Sequence, residues 1–245
     1  MSGPRVLLTG SRPGPVGRLL EGRGAVPLAV PTIAIRALQG DPLDGALRRA
    51  EECDWIVVTS PNGARLVLER LAELGLDTPS RPRWAAVGPR TRKTLVAAGV
   101  TIAAEPAERI GAAIPDAMGD VEGACVLLLR SAAAADDLPR LLAQRGARVE
   151  DVAAYEIVEG PEESRGPLDL ALAVGLDAVV FTSGSTVRGF ARLVGDPPAV
   201  LSRARVVCIG PVTARAAREA GLGRIRTATD RAPAAIVAAV VGNGG

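Results

Sequence analysis

The sequence DWIVVTS at residues 54–60 returns as DAVVFTS at residues 177–183, and this repeat decides how the chain is built. A second pair follows the first, because RWAAVGPRT at residues 83–91 resembles RVVCIGPVT at residues 205–213. Both pairs are separated by about half of the 245 residues. Several segments that recur in the same order at one spacing indicate an internal duplication.

The repeated runs also indicate the fold class. They are apolar without polar alternation, which is typical of strands covered on both faces. Between them lie Ala-, Leu- and Arg-rich stretches of helical period, and strands separated by such helices indicate βα units. The sequence therefore predicts an α/β protein of two similar lobes, each a mainly parallel sheet flanked by helices. The predicted strand runs are residues 5–10, 26–35, 54–60, 83–88, 124–130, 149–158, 177–183 and 204–210.

Two longer apolar runs, at residues 26–35 and 149–158, bear on how the lobes are connected. The halves could be two sequential domains, or these runs could be crossovers between lobes. Both runs exceed the usual strand of about 5–6 residues, and both precede stretches rich in Pro, Gly and acidic residues. We favour the double crossover, with lobe 1 formed by residues 1–35 plus 158–245 and lobe 2 by residues 36–157. The cleft between the lobes is then the expected ligand site.

The composition excludes several kinds of chemistry. The chain has no histidine, so a Ser-His-Asp triad, a histidine metal site and a His-ligated haem are ruled out. Lys93 is the only lysine, and it does not lie in a P-loop signature. The glycines at residues 10–17 have the spacing G-x3-G-x2-G, which is not the dinucleotide fingerprint. We therefore predict neither a metal nor an organic cofactor.

The charge and hydropathy patterns restrict partners and location. A net charge of +2 does not suggest a nucleic-acid-binding protein, which usually carries a concentrated basic stripe. The first apolar run is too short for a signal peptide, and no run reaches transmembrane length. We predict a cytoplasmic protein. Cys53, Cys125 and Cys208 form no CxxC pair and are interpreted as free, buried thiols.

The loops that follow the repeated strands carry the candidate binding groups. Ser60 and Ser183 are N-cap candidates, while Gly210 in its Gly-Pro turn allows close approach to the backbone. Thr91 and Thr213 fall in the first helical turn after the two Gly-Pro pairs. Helix starts present unpaired N–H groups and a positive dipole end, which suit anions. Each loop on its own is also compatible with ordinary helix capping.

Tyr155 marks a break in the duplication. Alignment of Arg-Gly-Ala at residues 23–25 with the same triplet at residues 145–147 places Tyr155 opposite Ile33. Tyr155 is the only tyrosine, and it stands on the second predicted crossover. Its hydroxyl could have a purely structural role, with its hydrogen bond satisfied at the edge of the core. The matching position holds Ile33, which shows that packing alone does not require a hydroxyl group there.

The ordered set of segments resembles the uroporphyrinogen-III synthase (HemD) family. The resemblance runs through nearly the whole chain and rests on the following segments: LLTGSRPG (7–14), DWIVVTSPNGARLVLERL (54–71), WAAVGPRTRKTLVAAGV (84–100), VEDVAAYEIVEG (149–160), DAVVFTSGSTVRGFARL (177–193) and VVCIGPVTARAAREAGL (206–222). It implies a two-lobed enzyme with a double crossover. That family closes hydroxymethylbilane into uroporphyrinogen III, inverting ring D through a spiro intermediate with loss of water, without a metal or cofactor.

The resemblance also implies roles for individual residues. Tyr155 matches the crossover tyrosine that assists loss of the substrate hydroxyl. The substrate, a polycarboxylate tetrapyrrole, is expected to contact Arg12, Ser60, Thr91, Ser183, Gly184, Ser185, Gly210 and Thr213. Asn62 and Gly63 stand where relatives can carry a basic residue. The implied partner is hydroxymethylbilane synthase, in a transient contact. From the absence of histidine, of cysteine pairs and of a nucleotide fingerprint we also predict a monomer, and from charge and hydropathy we expect binding to neither nucleic acid nor membrane.

A second class of function also fits a two-lobed chain. A cytosolic small-molecule-binding module without catalysis would share the double crossover and the cleft. The sequence carries no appended helix-turn-helix or export signal that would give such a module a purpose. We therefore prefer the enzyme.

Overall fold

The computed structural model describes residues 3–10, 13–108 and 110–242. Arg12, one of the expected substrate contacts, lies outside these residues. The chain divides into two compact units: Met1–Ala34 together with Val158–Gly245, and Ile35–Ile157. We refer to them as unit 1 and unit 2 and describe each by itself.

The strands and helices alternate along most of the chain. The strands are β1 (Arg5–Leu8), β2 (Val26–Ala29), β3 (Ile33–Ala37), β4 (Trp55–Val58), β5 (Arg83–Ala86), β6 (Ile102–Ala104), β7 (Cys125–Ser131), β8 (Arg148–Glu159), β9 (Ala178–Phe181), β10 (Arg205–Cys208) and β11 (Ile225–Thr227). The helices are α1 (Gly14–Glu21), α2 (Leu43–Arg48), α3 (Pro61–Glu73), α4 (Pro89–Ala97), α5 (Ile114–Met118), α6 (Asp137–Gln144), α7 (Arg165–Ala173), α8 (Gly184–Val194), α9 (Pro197–Val200), α10 (Pro211–Glu219) and α11 (Pro233–Val241).

Unit 1 contains a five-stranded sheet in the order β11-β10-β9-β1-β2, and its four ladders are parallel. Successive residues of a strand point to opposite faces, so a strand covered on both faces is apolar throughout. In β9, Val179 and Phe181 pack into the cluster that includes side chains of α7, α8 and α10. Val180 packs into the second cluster, which includes side chains of α1 and α11.

Unit 2 contains a six-stranded sheet in the order β3-β8-β7-β4-β5-β6. The ladders that join β8, β7, β4, β5 and β6 are parallel. The strand β4 again serves two cores. Ile56 and Val58 pack with side chains of α2, α3 and α4, whereas Trp55 and Val57 pack with side chains of α5 and α6.

The two sheets share one strand order. Read from β6, the sheet of unit 2 runs β6-β5-β4-β7-β8, followed by β3, and the sheet of unit 1 runs β11-β10-β9-β1-β2. The pairs quoted from the sequence, β4 with β9 and β5 with β10, occupy equivalent places. The prediction of two similar α/β lobes with parallel sheets is confirmed. The chain passes between the units within β3 and β8.

One predicted strand was wrong. The apolar run at residues 26–35 forms two strands in different sheets, since β2 belongs to unit 1 and β3 adjoins β8. The break falls around Pro31, whose missing N–H removes a ladder hydrogen bond. The other long run is a single strand, the twelve-residue β8. The three-residue strands β6 and β11 were not predicted, because they are too short to show a hydrophobic period.

Within residues 3–10, 13–108 and 110–242, no helix has the length and apolar character needed to cross a membrane. In the same part of the chain, no three His, Cys, Asp or Glu side chains are grouped so that they could hold a metal ion.

Candidate active site

The candidate site in unit 2 lies where the strand order changes direction. From β4 the chain proceeds outward to β5 and β6, and then returns to form β7 on the other side of β4. In open α/β sheets, ligands bind outside the carboxyl ends of the strands at such a point. Ser60 lies two residues after the end of β4, and Ser131 is the last residue of β7.

Ser60 is the N-cap of α3, as predicted from the sequence. Its backbone is extended, with φ −147° and ψ 152°, and its Oγ accepts a hydrogen bond from the N–H of Gly63 at 2.9 Å. Pro61 occupies the first helical turn, where its missing N–H costs nothing. The cap therefore fixes the position of the Ser60 hydroxyl at the positive end of a thirteen-residue helix.

Tyr155 is the partner of that hydroxyl. The two oxygens, Ser60 Oγ and Tyr155 Oη, lie 2.8 Å apart although the residues are 95 positions apart in the sequence. Tyr155 is 6% exposed, and its ring belongs to the apolar cluster beneath α2, α3 and α4. The sequence singled out both residues but did not predict that they form a pair.

A β-bulge in the ladder between β7 and β8 orients the Tyr155 side chain toward Ser60. The register between β7 and β8 shifts after Arg130, so that Arg130 faces Ala153 while Ser131 faces Tyr155. In a regular strand, Ala154 and Tyr155 would point to opposite faces of the sheet. With the bulge, both are buried in the same cluster. Bulges re-aim side chains in this way near functional sites.

Hydrogen bonds of the Arg130 side chain stabilise the bulge. Its guanidinium binds the Asp151 carboxylate through Nε at 2.7 Å and Nη2 at 2.5 Å, and Nη1 donates to the carbonyl of Ala135. The Asp151 hydrogen bond is the main reason why the pKa of Arg130 is raised, so the group stays charged. Because its donors are engaged internally, Arg130 serves the loop after β7 rather than a ligand.

Either oxygen of the Ser60–Tyr155 pair can be the donor of their hydrogen bond, which leaves one hydroxyl proton for another acceptor. Ser60 Oγ already accepts from Gly63, so its own proton and a lone pair remain for Tyr155. If Ser60 donates to Tyr155 Oη, the phenol proton is free for another acceptor. If the phenol donates to Ser60, the serine proton is free. In both cases the pair can donate one hydrogen bond to a bound molecule.

Gly63 was missed as a site residue. A Cβ at this position would lie 3.2 Å from Ser60 Oγ and 3.2 Å from Cε1 of the Tyr155 ring. The absence of a side chain therefore allows the tyrosine to approach the first turn of α3. The sequence offers only a weak signal, a glycine in the first turn of a helix where glycine has no intrinsic advantage.

The equivalent helix start in unit 1 is capped differently. Ser183 Oγ accepts from the N–H of Thr186 at 3.2 Å, and Thr186 Oγ1 accepts from the N–H of Ser183, which forms a capping box. The Ser183 hydroxyl also contacts Ser185 Oγ at 2.8 Å. Among the described residues, the N–H groups of Gly184 and Ser185 have no acceptor. These two donors at the start of α8 are available to an anion.

The two Gly-Pro turns place their threonines at the same position but use them differently. Thr91 has no exposed surface, and its hydroxyl donates to the carbonyl of Val87 at 3.0 Å. Thr213 is 4% exposed, and its hydroxyl has no hydrogen-bond partner in the described part of the chain. Of the fully enclosed side-chain polar atoms in that part, only Ser164 Oγ lacks a partner, so the Thr213 hydroxyl reaches the surface.

The glycines that precede these turns also differ. Gly88 has φ 80°, a left-handed conformation that favours glycine. Gly210 has φ 178°, an extended conformation open to any residue, and a Cβ there would meet no atom within 4 Å. The fold therefore explains Gly88 but does not by itself require a glycine at position 210.

Comparison with known proteins identifies the family. The family model described as uroporphyrinogen-III synthase HemD matches residues 15–238. The chain belongs to the uroporphyrinogen-III synthase family. It is 31% identical over 214 residues to a putative uroporphyrinogen-III synthase of Methanothermobacter thermautotrophicus, covering 83% of this chain and 84% of that protein. A uroporphyrinogen-III synthase of Synechococcus elongatus is 30% identical over 223 residues, which is 86% of this chain and 83% of the relative.

Solved structures of uroporphyrinogen-III synthases have the same fold. A mutant enzyme from Thermus thermophilus superposes with a TM-score of 0.61 at 24% identity, and a Helicobacter pylori enzyme does so with 0.63 at 17% identity. Each alignment covers 96% of both chains. The family predicted from the sequence is confirmed, and with it an enzyme of tetrapyrrole biosynthesis, a cyclising lyase. The alternative, a non-catalytic binding module, is not favoured.

Proposed function

We propose that this chain converts hydroxymethylbilane to uroporphyrinogen III, closing the ring with inversion of ring D and loss of water. The observation that carries the proposal is the Ser60–Tyr155 pair, a hydroxyl pair with one proton to donate at a helix start. It lies in a chain of the uroporphyrinogen-III synthase family. The chain has no histidine, and a phenol can donate a hydrogen bond to a leaving hydroxyl without one.

Substrate binding would use polar groups at the starts of the helices that follow the strands. The substrate is a polycarboxylate, and helix starts with free N–H groups suit carboxylates. We assign this role to Ser183, Gly184 and Ser185 at α8, and to Gly210 and Thr213 at α10. Support comes from the free N–H groups of Gly184 and Ser185 and from the unpartnered Thr213 hydroxyl.

Two of the predicted contacts, those of Thr91 and Ser60, gain less support. The Thr91 hydroxyl donates to Val87 and is enclosed, so its proton is not available to a substrate. Its substrate role stays a prediction, as does that of Arg12. For Ser60, the contacts support a positioning role toward Tyr155 more directly than a contact with a carboxylate.

The chemical step would proceed as follows. Electron density from the pyrrole nitrogen expels the terminal hydroxyl while Tyr155 transfers its proton to the departing oxygen. This gives water, a stabilised cation and a phenolate, which recovers its proton when ring D loses one at the end of the reaction. Ser60, held by the Gly63 N–H, donates to Tyr155 Oη as negative charge develops there. The substituted carbon of ring D then attacks, and the resulting spiro intermediate reopens and closes to the inverted ring. Because pyrrole expels water readily, most of the catalysis would come from holding one conformer.

Isomer analysis tests the proposal. Purified chain is incubated with hydroxymethylbilane, and after oxidation the porphyrin isomers are separated by chromatography. We expect the type III isomer in excess over the type I isomer, which forms spontaneously. Product that matches the enzyme-free control, from protein whose circular dichroism spectrum shows a folded state, would contradict the proposal.

The monomeric state, the cytoplasmic location and the transient contact with hydroxymethylbilane synthase stay predictions. To test the contact, both enzymes are combined in a coupled reaction that forms labelled hydroxymethylbilane, and unlabelled hydroxymethylbilane is added as a competitor. If the bilane passes directly between them, the competitor lowers the yield of labelled type III product less than free mixing predicts.

A further inference from the structure

Two of the three cysteines are neighbours. Cys53 precedes β4 and Cys125 is the first residue of β7, and their sulfur atoms lie 2.9 Å apart. The sequence predicted free, buried thiols. All three cysteines are free, but Cys125 is only half-buried, whereas Cys53 and Cys208 are buried. The sequence did not predict the contact, because 72 positions separate the two residues.

The backbone holds this contact in place. The strands β4 and β7 are paired in parallel, with Trp55 opposite Val126. Just before the ladder, the N–H of Asp54 donates to the Cys125 carbonyl at 2.9 Å, and the Cys125 N–H donates to Asp54 Oδ2 at 2.8 Å. These bonds hold the backbones of the two cysteines next to each other. A movement of about 0.9 Å would bring them to the disulfide bond length of about 2.05 Å.

We propose that Cys53 and Cys125 form a thiol-modification site, at which a small-molecule disulfide such as oxidised glutathione converts the pair into an intramolecular disulfide. The Cys125 thiolate first attacks one sulfur of oxidised glutathione and releases one glutathione thiolate. The Cys53 thiolate then attacks the Cys125 sulfur and releases the second glutathione. The two protein thiols lose two protons and two electrons, and the oxidant is reduced to two glutathione molecules.

The surroundings set the order of these steps. Cys125 is half-buried, whereas Cys53 is 4% exposed, so the oxidant meets Cys125 first. Burial, reinforced by the hydrogen bond to Cys125, raises the pKa of the Cys53 thiol to about 12. Only the thiolate attacks, so the second step is slow at neutral pH and accelerates as the pH rises.

Cys208 provides the internal control. It lies in β10 with no exposed surface, in the apolar core of unit 1. Burial raises the pKa of its thiol to about 11. Without access or a neighbouring sulfur among the described residues, Cys208 should stay reduced while the pair reacts.

The disulfide should act on stability and spare the activity. It would close a loop of 72 residues, which restricts the unfolded chain. Within unit 2 it lies at the amino ends of β4 and β7, whereas Ser60 and Ser131 lie at the carboxyl ends. The four residues of β4 separate the two sites by about 13 Å.

The experiment uses the full reduced chain and oxidised glutathione at several pH values. After acid quenching and alkylation, peptide mapping by mass spectrometry locates the modified cysteines. We expect a Cys53–Cys125 cross-link, alkylated Cys208, and a rate that rises between about pH 7 and pH 9. The melting temperature should rise by roughly 5 °C, and dithiothreitol should reverse both changes.

Two variants separate the steps. Cys53→Ser should stop at a glutathione adduct on Cys125, and Cys125→Ser should not react. Cys208→Ser should behave as the wild type. A wild-type chain that keeps glutathione on Cys125 without cross-linking, or in which Cys208 reacts as fast as the pair, would overturn the proposal. These readouts do not depend on the proposed enzymatic activity.

Discussion

The two Gly-Pro-x-Thr turns share a sequence pattern, a helix position and a place at the end of a buried strand, yet their threonines differ in what they bind. Thr91 donates to Val87 inside unit 2, while the Thr213 hydroxyl in unit 1 has no partner among the described residues. The same divergence separates Ser60, which contacts Tyr155, from Ser183, which contacts Ser185. The two units therefore carry two copies of each loop, but the equivalent side chains make different contacts in unit 1 and unit 2.

Tyr155→Phe should have the largest effect on turnover. The substitution removes one hydroxyl with little change in volume, so the loss of stability should be near that of one hydrogen bond, about 0.5–1.5 kcal/mol. Acid assistance is typically worth about 10²–10⁴-fold, and we expect the low end because pyrrole expels water readily. The residual product should still be the type III isomer, since shape directs the attack. Wild-type turnover in a folded variant would remove Tyr155 from the mechanism.

Ser60→Ala tests whether the cap positions the phenol, with Ser183→Ala as the matched cap deletion. Both variants should lose about 1 kcal/mol of stability, measured by denaturant unfolding. Only Ser60→Ala removes the hydrogen bond to Tyr155, which should lower kcat roughly 10- to 100-fold with little change in KM. Ser183→Ala removes a proposed substrate contact and should raise KM with little change in kcat. The loss of kcat caused by Ser60→Ala should be much smaller when Tyr155 is already Phe. If Ser60→Ala lowers kcat by the same factor in the wild-type and the Tyr155→Phe backgrounds, the positioning role is contradicted.

Thr213→Ala and Thr91→Ala compare the two turns directly. Thr213→Ala should reduce kcat/KM about tenfold at nearly unchanged stability, because its hydroxyl is free in the protein and is proposed to bind substrate. Thr91→Ala should show the opposite pattern, with about 1 kcal/mol lost on unfolding and activity retained. Thermal melts and steady-state kinetics of both variants decide between these outcomes. If both variants lose only stability, Thr213 is a structural residue like its counterpart.

Gly210→Ala should have the smallest effect, and it sharpens the comparison of the two glycines. Neither its extended backbone nor its surroundings oppose a methyl group, so stability should be preserved. If the substrate approaches the backbone here, kcat/KM should still fall, by less than about tenfold. Gly223→Ala is the control, since a Cβ there also meets no atom within 4 Å. Gly88→Ala should instead destabilise the protein because of its positive φ.

Local patterns predicted much of this fold. The apolar runs placed β4, β5, β9 and β10, because a short continuous apolar run is typical of a strand buried on both faces. The duplication predicted two sheets of one kind. The cap at Ser60 could be predicted because its partner, Gly63, lies three residues away. The run at residues 26–35 misled, since a continuous apolar stretch does not show that its two ends join different sheets.

The fold class, the family and the candidate chemical residues, including the single tyrosine, could be predicted from the linear chain. Which of these residues contact each other follows only from the three-dimensional fold. The Tyr155–Ser60 pair depends on a one-residue shift in the ladder between β7 and β8, and the Cys53–Cys125 pair depends on the alignment of β4 with β7. Strand register is set by packing and by contacts far apart along the chain, and a shift of one residue reverses the face that a side chain occupies.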